Sequence, residues 1–377
     1  MQDKDISEIR DISRRMCEAE VPFGSNCVRL SGCEWIVVGI FTFALFCFWP
    51  TLWEQIKRFE PEPDYRLPYR SSSDYWLYNR YCRWASSQYE TLVIGDSVMW
   101  GHFVSKDNTL SHYLSKVADS EQFANLGVDG IHPVALAGLL KYYGRDISDK
   151  KVILHLNPLW MSSKRHDLQI TKEFHFNHPK LVPQFIPEVP CYKDSYSKRI
   201  SAVVERYVPL FSWTSHLKSA YFENMAPPEW TLEHPYKNPF KAVTLKIADY
   251  QEYQDEHTSW AQRGVAKQDF QWVELETSLQ WNFFRQSVEL LKQRDNSVFV
   301  LVGPFNEHML EGESIEIFGK MKSKIEIWLQ QNNIAYYMPP PLPSELYVDA
   351  SHPLSEGYAM LAKQLFENES FKSSILY

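Results

Sequence analysis

Cysteine is scarce in this chain. Six cysteines in 377 residues exclude a disulfide-stapled scaffold. Cys17, Cys27, Cys33 and Cys47 fall within the first fifty residues, without the paired spacing and histidines of a zinc site. Beyond them stand only Cys82 and Cys191, which form either one disulfide or two unpaired thiols. Positive charge is also short: 39 Lys and Arg against 47 Asp and Glu give a net charge of −8. With no long basic run, this argues against nucleic acid or an anionic membrane surface as the main partner and leaves a neutral or sugar-like ligand open. Neither an internal repeat nor a low-complexity tract interrupts the chain. What it does have is 44% hydrophobic and 15% aromatic residues, enough to bury one large core or two modest ones.

Residues 35–53, WIVVGIFTFALFCFWPTLW, carry no charge. As a helix this run would be about 28 Å long, close to the hydrocarbon thickness of a bilayer. Trp35, Trp49 and Trp53 lie near its ends, where amphipathic rings favour the interface. The apolar core is too long for a cleaved signal peptide and no small-residue cleavage site follows it. A membrane anchor is the reading, with a buried core helix as the alternative. Arg10, Arg14, Arg15 and Arg29 precede the run and Lys57, Arg58, Arg66 and Arg70 follow it, so flanking charge does not choose an orientation. The expected organisation is an N-terminal tail (1–34), a single transmembrane helix (35–53), a juxtamembrane linker (54–87) with the proline-rich FEPEPDYRLPYR, and a catalytic domain (88–377). The last is expected to be extracytoplasmic.

From about residue 88 strand and helix patterns alternate. ETLVIGD, QFANLG, KVILHLN, SVFVLVGPF and IAYYM read as strands; NTLSHYLSKVA, HPVALAGLLKYYG, LQWNFFRQSVELLKQ, SIEIFGKMKSKIEIWLQ and LSEGYAMLAKQLF read as helices. Such alternation implies an α/β fold with a parallel sheet wrapped by helices. Residues 158–275 interrupt it with Pro, His, Trp and Tyr and little periodicity, which suggests an irregular insertion over the strand ends.

Ser97, in IGDSVMWG, follows the apolar run Leu92-Val93-Ile94, where α/β folds keep reactive groups. Asp96 or Ser97 could equally cap the next helix. Near the C-terminus, YVDASHPLSEGYAM sets Asp349 three residues before His352. That spacing lets a carboxylate fix one imidazole nitrogen while the other takes a serine proton, or else the pair caps the final helix. A serine nucleophile needs such a base, within hydrogen-bond reach. It also needs donors for an oxyanion, and Gly127 and Asn157 directly follow the second and third strands. In a doubly wound sheet all these strand ends share one edge.

Other histidines carry less. His308 follows the fourth strand and either lines the same crevice or is solvated; His102 and His112 read as surface residues, and His132 as a helix cap. His175, His178 and His234 lie in the insertion and could contact sugar, as could Trp160, Trp213, Trp230 and Trp260, although packing beneath a long loop also accounts for the rings. The HxxH formed by His175 and His178 has no further ligand, so no metal and no cofactor are expected.

Together, GDS with Ser97, the glycine block at Gly127, the asparagine block at Asn157 and DxxH at Asp349 and His352 resemble the SGNH (GDSL-like) hydrolase superfamily. The resemblance covers about residues 88–157 and 276–370; the third block reads NPLW where the superfamily usually has glycine-x-asparagine. It implies a three-layer, doubly wound parallel sheet. Ser97 would be nucleophile, His352 general base and Asp349 its orienting carboxylate, with Gly127 and Asn157 joining the Ser97 amide in the oxyanion hole. Anchor, linker and inserted domain are also similar to accessory proteins that work beside membrane-bound O-acyltransferases in alginate acetylation and teichoic acid D-alanylation. The expected function is esterase or acyl-transfer chemistry through an acyl-serine on a glycan or lipid-linked substrate. The partners would be a bilayer and a membrane-bound O-acyltransferase, with no nucleic acid. A non-catalytic binding or scaffold subunit on the same fold is the alternative.

The apolar run gives a direct test. The full-length chain should pellet with membranes and resist carbonate extraction, whereas a chain beginning near residue 60 should not; full-length protein in the carbonate supernatant would contradict the anchor.

Overall fold

A computed structural model of the protein describes residues 30–244 and 257–376. Most of the N-terminal tail, with Cys17, Cys27 and the four early arginines, therefore lies outside the described residues. The chain divides into two compact units, one ending at Trp49 and the other running from Pro50 to Tyr377. Helix α1, Gly32–Ile56, has a mean hydropathy of 2.0 over its most apolar window and exposes nearly all of its side chains. By length and composition it is sufficient to cross a membrane.

Residues 57–68 contain Pro61, Pro63 and Pro68 and form neither helix nor strand, as their φ constraint and missing N–H groups require. The expected linker, however, ends early. Its second half is helix α2, Tyr75–Gln88, capped by the Asp74 carboxylate on Leu77 N–H and burying Tyr75, Leu77, Tyr78, Tyr81, Cys82 and Ala85 in the main core. Repeated aromatic residues at helical spacing make this stretch part of the domain.

The remaining elements are β1 (Thr91–Ile94), α3 (Ser97–Trp100), α4 (Leu110–Ala118), β2 (Phe123–Asn125), α5 (Pro133–Tyr142) and β3 (Lys151–Leu156). Next come α6 (Tyr196–Tyr207), α7 (Pro209–Tyr221), α8 (Pro227–Glu233) and α9 (Pro239–Ala242), so among its described residues the expected irregular insertion carries four α-helices, three of them with proline in the first turn. The chain closes with α10 (Leu279–Lys292), β4 (Ser297–Val302), α11 (Ser314–Gln331), β5 (Ala335–Tyr337), α12 (Ser355–Glu367) and α13 (Glu369–Phe371).

All five strands are parallel, in the order β2-β1-β3-β4-β5. Their side chains alternate between two faces. Leu92 and Ile94 of β1, Val152 and Leu154 of β3, and Val300 of β4 face one core with α2, α5, α10 and α11; Val93, Ile153, Phe299 and Leu301 face a second with α4 and α12. Burial on both sides explains why these strands are continuous hydrophobic runs. Successive strands leave β1 in opposite directions, so the order reverses between β1 and β3. A crevice opens at the carboxyl ends of strands at such a switch point.

Beside it, the buried Arg66 donates to the carbonyls of Trp100, Gly101 and Val104 and lies 3.9 Å from the Trp100 ring centre. These bonds hold the turn after α3. Arg66→Met keeps the stem but orphans three carbonyls, and should lower stability by about 3 kcal/mol in a denaturant titration.

Candidate functional site

Local chemistry explains how Ser97 comes to stand at the end of β1. Asp96 is the N-cap of α3: its Oδ1 accepts from Val98 N–H at 3.0 Å, which makes Ser97 the first helical residue. A first helical N–H has no partner within its own helix and points outward from the helix start. The Asp96 carboxylate is buried, and its Oδ2 accepts from Asn157 Nδ2 and Trp160 Nε1, each at 2.8 Å. His155 Nδ1 lies 3.1 Å from Oδ1, close enough for ion pairing though not aligned as a hydrogen bond. Burial pushes the Asp96 carboxyl up, but His155, Asn157 and the Val98 N–H outweigh it and hold the pKa at about 2.

Ser97 Oγ lies 2.9 Å from His352 Nε2, and His352 Nδ1 lies 2.9 and 2.8 Å from Asp349 Oδ1 and Oδ2. The carboxylate also accepts from the backbone N–H groups of Ser351 and His352. Its loop is anchored by the buried Asn306, which donates from Nδ2 to Asp349 O and from its backbone N–H to Ala350 O. The end of the insertion braces the same loop, with the Trp260 indole donating to Ser344 O. Burial pushes Asp349 up, yet its bonds to His352 and the backbone bring it to about 2. Burial pushes the His352 imidazole down, yet Asp349, with Asp96 and Asp129 beyond, outweighs it and leaves the ring above the ordinary 6.5. The arrangement can take a proton from Ser97 and stabilise the imidazolium that results.

The two expected oxyanion donors are placed differently from Ser97. Gly127 N–H is donated to Asn125 Oδ1 at 3.0 Å and is therefore already engaged. Its absent side chain matters more, since a Cβ would lie 2.4 Å from Trp100 N and force the loop after β2 off the back of α3. Asn157 uses one of its two Nδ2 hydrogens on Asp96.

His102, expected at the surface, instead stands beside the site: its ring centre is 5.4 Å from that of His352, and its Nδ1 is 2.6 Å from Asp129 Oδ1. The turn after α3 brings it there, with His102 N–H donating to Ser97 O. Its place five residues after Ser97, just beyond a helix-ending glycine, is the signal that could have marked it. Asp129, two residues after Gly127, was missed in the same way.

Of the other histidines named from the sequence, His175 is exposed and the rest are engaged inside the protein. His132 caps α5, His112 meets Asp64, and His308 Nε2 meets Leu342 O rather than the crevice. His178 bonds Tyr75 and the Asp129 carbonyl, and His234 stacks on Trp230. Trp213 packs on Trp53 and Trp230 on Phe222, so these rings serve packing. Cys82 and Cys191 are both buried free thiols. No protein-family model matches the chain, and no curated protein does.

The His352 pKa is raised, so its ring should titrate with a midpoint above 6.5 when followed by NMR, and Asp349→Asn, which removes the main group raising it, should move that midpoint down.

Proposed function

We propose that this protein is a membrane-anchored serine esterase or O-acyltransferase of SGNH type that forms an acyl-serine on a glycan or lipid-linked substrate. The observation that carries this reading is the hydrogen-bonded series from Ser97 Oγ through His352 to Asp349, at the carboxyl edge of a parallel sheet where the strand order reverses. A serine hydroxyl is weak alone and becomes a nucleophile beside such a base.

In the proposed cycle Ser97 Oγ attacks the ester carbonyl while its proton passes to His352 Nε2. Asp349 keeps the Nδ1 proton in place and offsets the imidazolium charge. Negative charge on the carbonyl oxygen is met by the Ser97 N–H and the second Nδ2 hydrogen of Asn157. His352 then gives its proton to the departing alkoxide, leaving an acyl-serine and a neutral base. A second hydroxyl, or water, repeats the sequence in reverse. Transfer and hydrolysis share this intermediate and differ in whether a second hydroxyl or water attacks it, and a water-excluding crevice would favour transfer.

A fluorophosphonate probe should label the wild-type chain and fail on Ser97→Ala. Ser97→Ala and His352→Ala should each lower turnover of an aryl ester by about 10³-fold or more, with the double variant little worse, because members of a catalytic unit are non-additive. Full activity in Ser97→Ala would refute the proposal.

A further inference from the structure

Where α1 ends, the chain is fixed to the domain and not loosely tethered. Arg80 of α2 donates to the carbonyls of Glu54 and Lys57, which satisfies the end of α1. The Trp53 ring, last of the apolar run, meets the Trp213 ring edge-on at 5.8 Å, and Lys57, buried one turn later, donates to Tyr221 Oη at 2.8 Å. All of these residues belong to the second compact unit.

The two contacts give α7 a direction. From Trp53 to Lys57 the chain moves away from the apolar run by about 6 Å, and from Trp213 to Tyr221 α7 moves the same way by about 12 Å. The start of α7 therefore lies toward the apolar run, and its end lies away from it.

What stands at that start is apolar and open. Phe211 is 45% exposed, and Tyr207, at the end of α6 just across Pro209, is 61% exposed. Along α6, Tyr196, Ile200, Val203 and Tyr207 follow one another at spacings of four, three and four, which places them on one helical face. The domain covers a different face: Ala202 and Arg206 are the buried residues of α6, and Arg206 donates to the Lys180 and Val182 carbonyls. A helix packed on a domain ordinarily turns its apolar stripe inward. Here Tyr196, Ile200 and Tyr207 are all exposed. The patch continues past α6, since Tyr207 lines one groove of about 590 Å³ with Phe185 and Ile186, and Ile186 is 91% exposed. Contiguous apolar surface of this kind marks an interaction site.

We infer that the corner between α6 and α7, with Tyr207 and Phe211 at its tip, rests in the interfacial layer of the bilayer that α1 crosses, so that the domain meets the membrane at a second point. The inference rests on α1 spanning the bilayer and is independent of the acyl-serine reading. A bilayer is the occupant because the corner starts two residues from Trp213, which packs on the ring where the apolar run stops. Aromatic rings beside an aliphatic stripe are also the composition that partitions into that layer. Tyr236 and Phe240 are exposed more fully still, yet they belong to the other end of α7, where Trp230 packs on Phe222 and Tyr221 Oη donates to the Thr244 carbonyl. They supply an internal comparison.

The test uses full-length protein in phosphatidylcholine liposomes containing a lipid with a diazirine near the carbonyl end of one acyl chain. After irradiation and digestion, labelled residues are located by mass spectrometry and each yield is divided by that of α1. Wild type should carry label in α1 and in residues 196–211, and little in residues 227–244. Tyr207→Ser with Phe211→Ser should lower the ratio for 196–211 by about fivefold or more, because both rings lose the burial that holds them in the layer. Tyr207→Trp with Phe211→Trp should retain it, and Tyr236→Ser with Phe240→Ser should leave it unchanged.

Label in α1 with none in 196–211 would overturn the inference, leave the span standing and assign the patch to a protein surface. Equal label in 227–244 and 196–211, or a ratio unmoved by the serine pair, would overturn it too. Absence of label in α1 would remove the membrane span and this inference with it.

Discussion

One buried carboxylate organises the carboxyl edge of the sheet. Asp96 is shut away from water at the end of β1, and a charge in that position must be matched by donors or abandoned. It takes donors from three directions: Val98 N–H of the helix that it caps, Asn157 Nδ2 at the end of β3, and the Trp160 indole at the start of the insertion. His155 stands behind it on β3. The two strands that flank the reversal are thus joined through one side chain. Ser97 inherits its position from that network, since the residue after a cap must be the first of the helix.

Helix α3 has four residues, too few to hold itself together by propensity. Its surroundings hold it. Arg66 gathers the carbonyls at its exit, Asn125 Nδ2 donates to Met99 O, and Tyr358 donates to Val98 O from across the second core. Gly127 lets the neighbouring loop approach to a distance that no side chain would permit. In the proposed reaction, a serine clamped in this way would lose little freedom on reaching a substrate, which is the property that preorganised catalysis requires. The same clamping holds the turn that carries His102 and Phe103, since Arg66 bonds the carbonyls of Gly101 and Val104 on either side of them.

Much of this was legible in the chain. Apolar runs of four to six residues set between amphipathic stretches mark β1, β3 and β4, because a strand covered on both faces has no polar side to reveal; β2 and β5 are three residues each and were legible only from their place in the alternation. The short spacing of Asp349 and His352 marked them as a candidate pair, since a single turn brings residues three apart together. The helix at Tyr75–Gln88 was hidden by the prolines before it, and its aromatic residues found their burial only against distant partners. Among the polar residues the difference is sharper. His102 has the same local appearance as His112, an imidazole near a short helix, yet one faces the crevice and the other meets Asp64.

By itself, the sequence determined the α/β alternation, the apolar helix near its start and the identity of the groups at the strand ends, all of which follow from local periodicity and turn chemistry. Only the tertiary structure decided which of those groups meet. Ser97 and His352 are 255 positions apart and touch because β1 and the loop before α12 end on one edge of the sheet. Gly127 spends its N–H on Asn125, and Asp129 turns toward His102, because donors and acceptors are paired by proximity after the sheet has formed. Such pairings depend on distances between remote segments, and no local pattern encodes them.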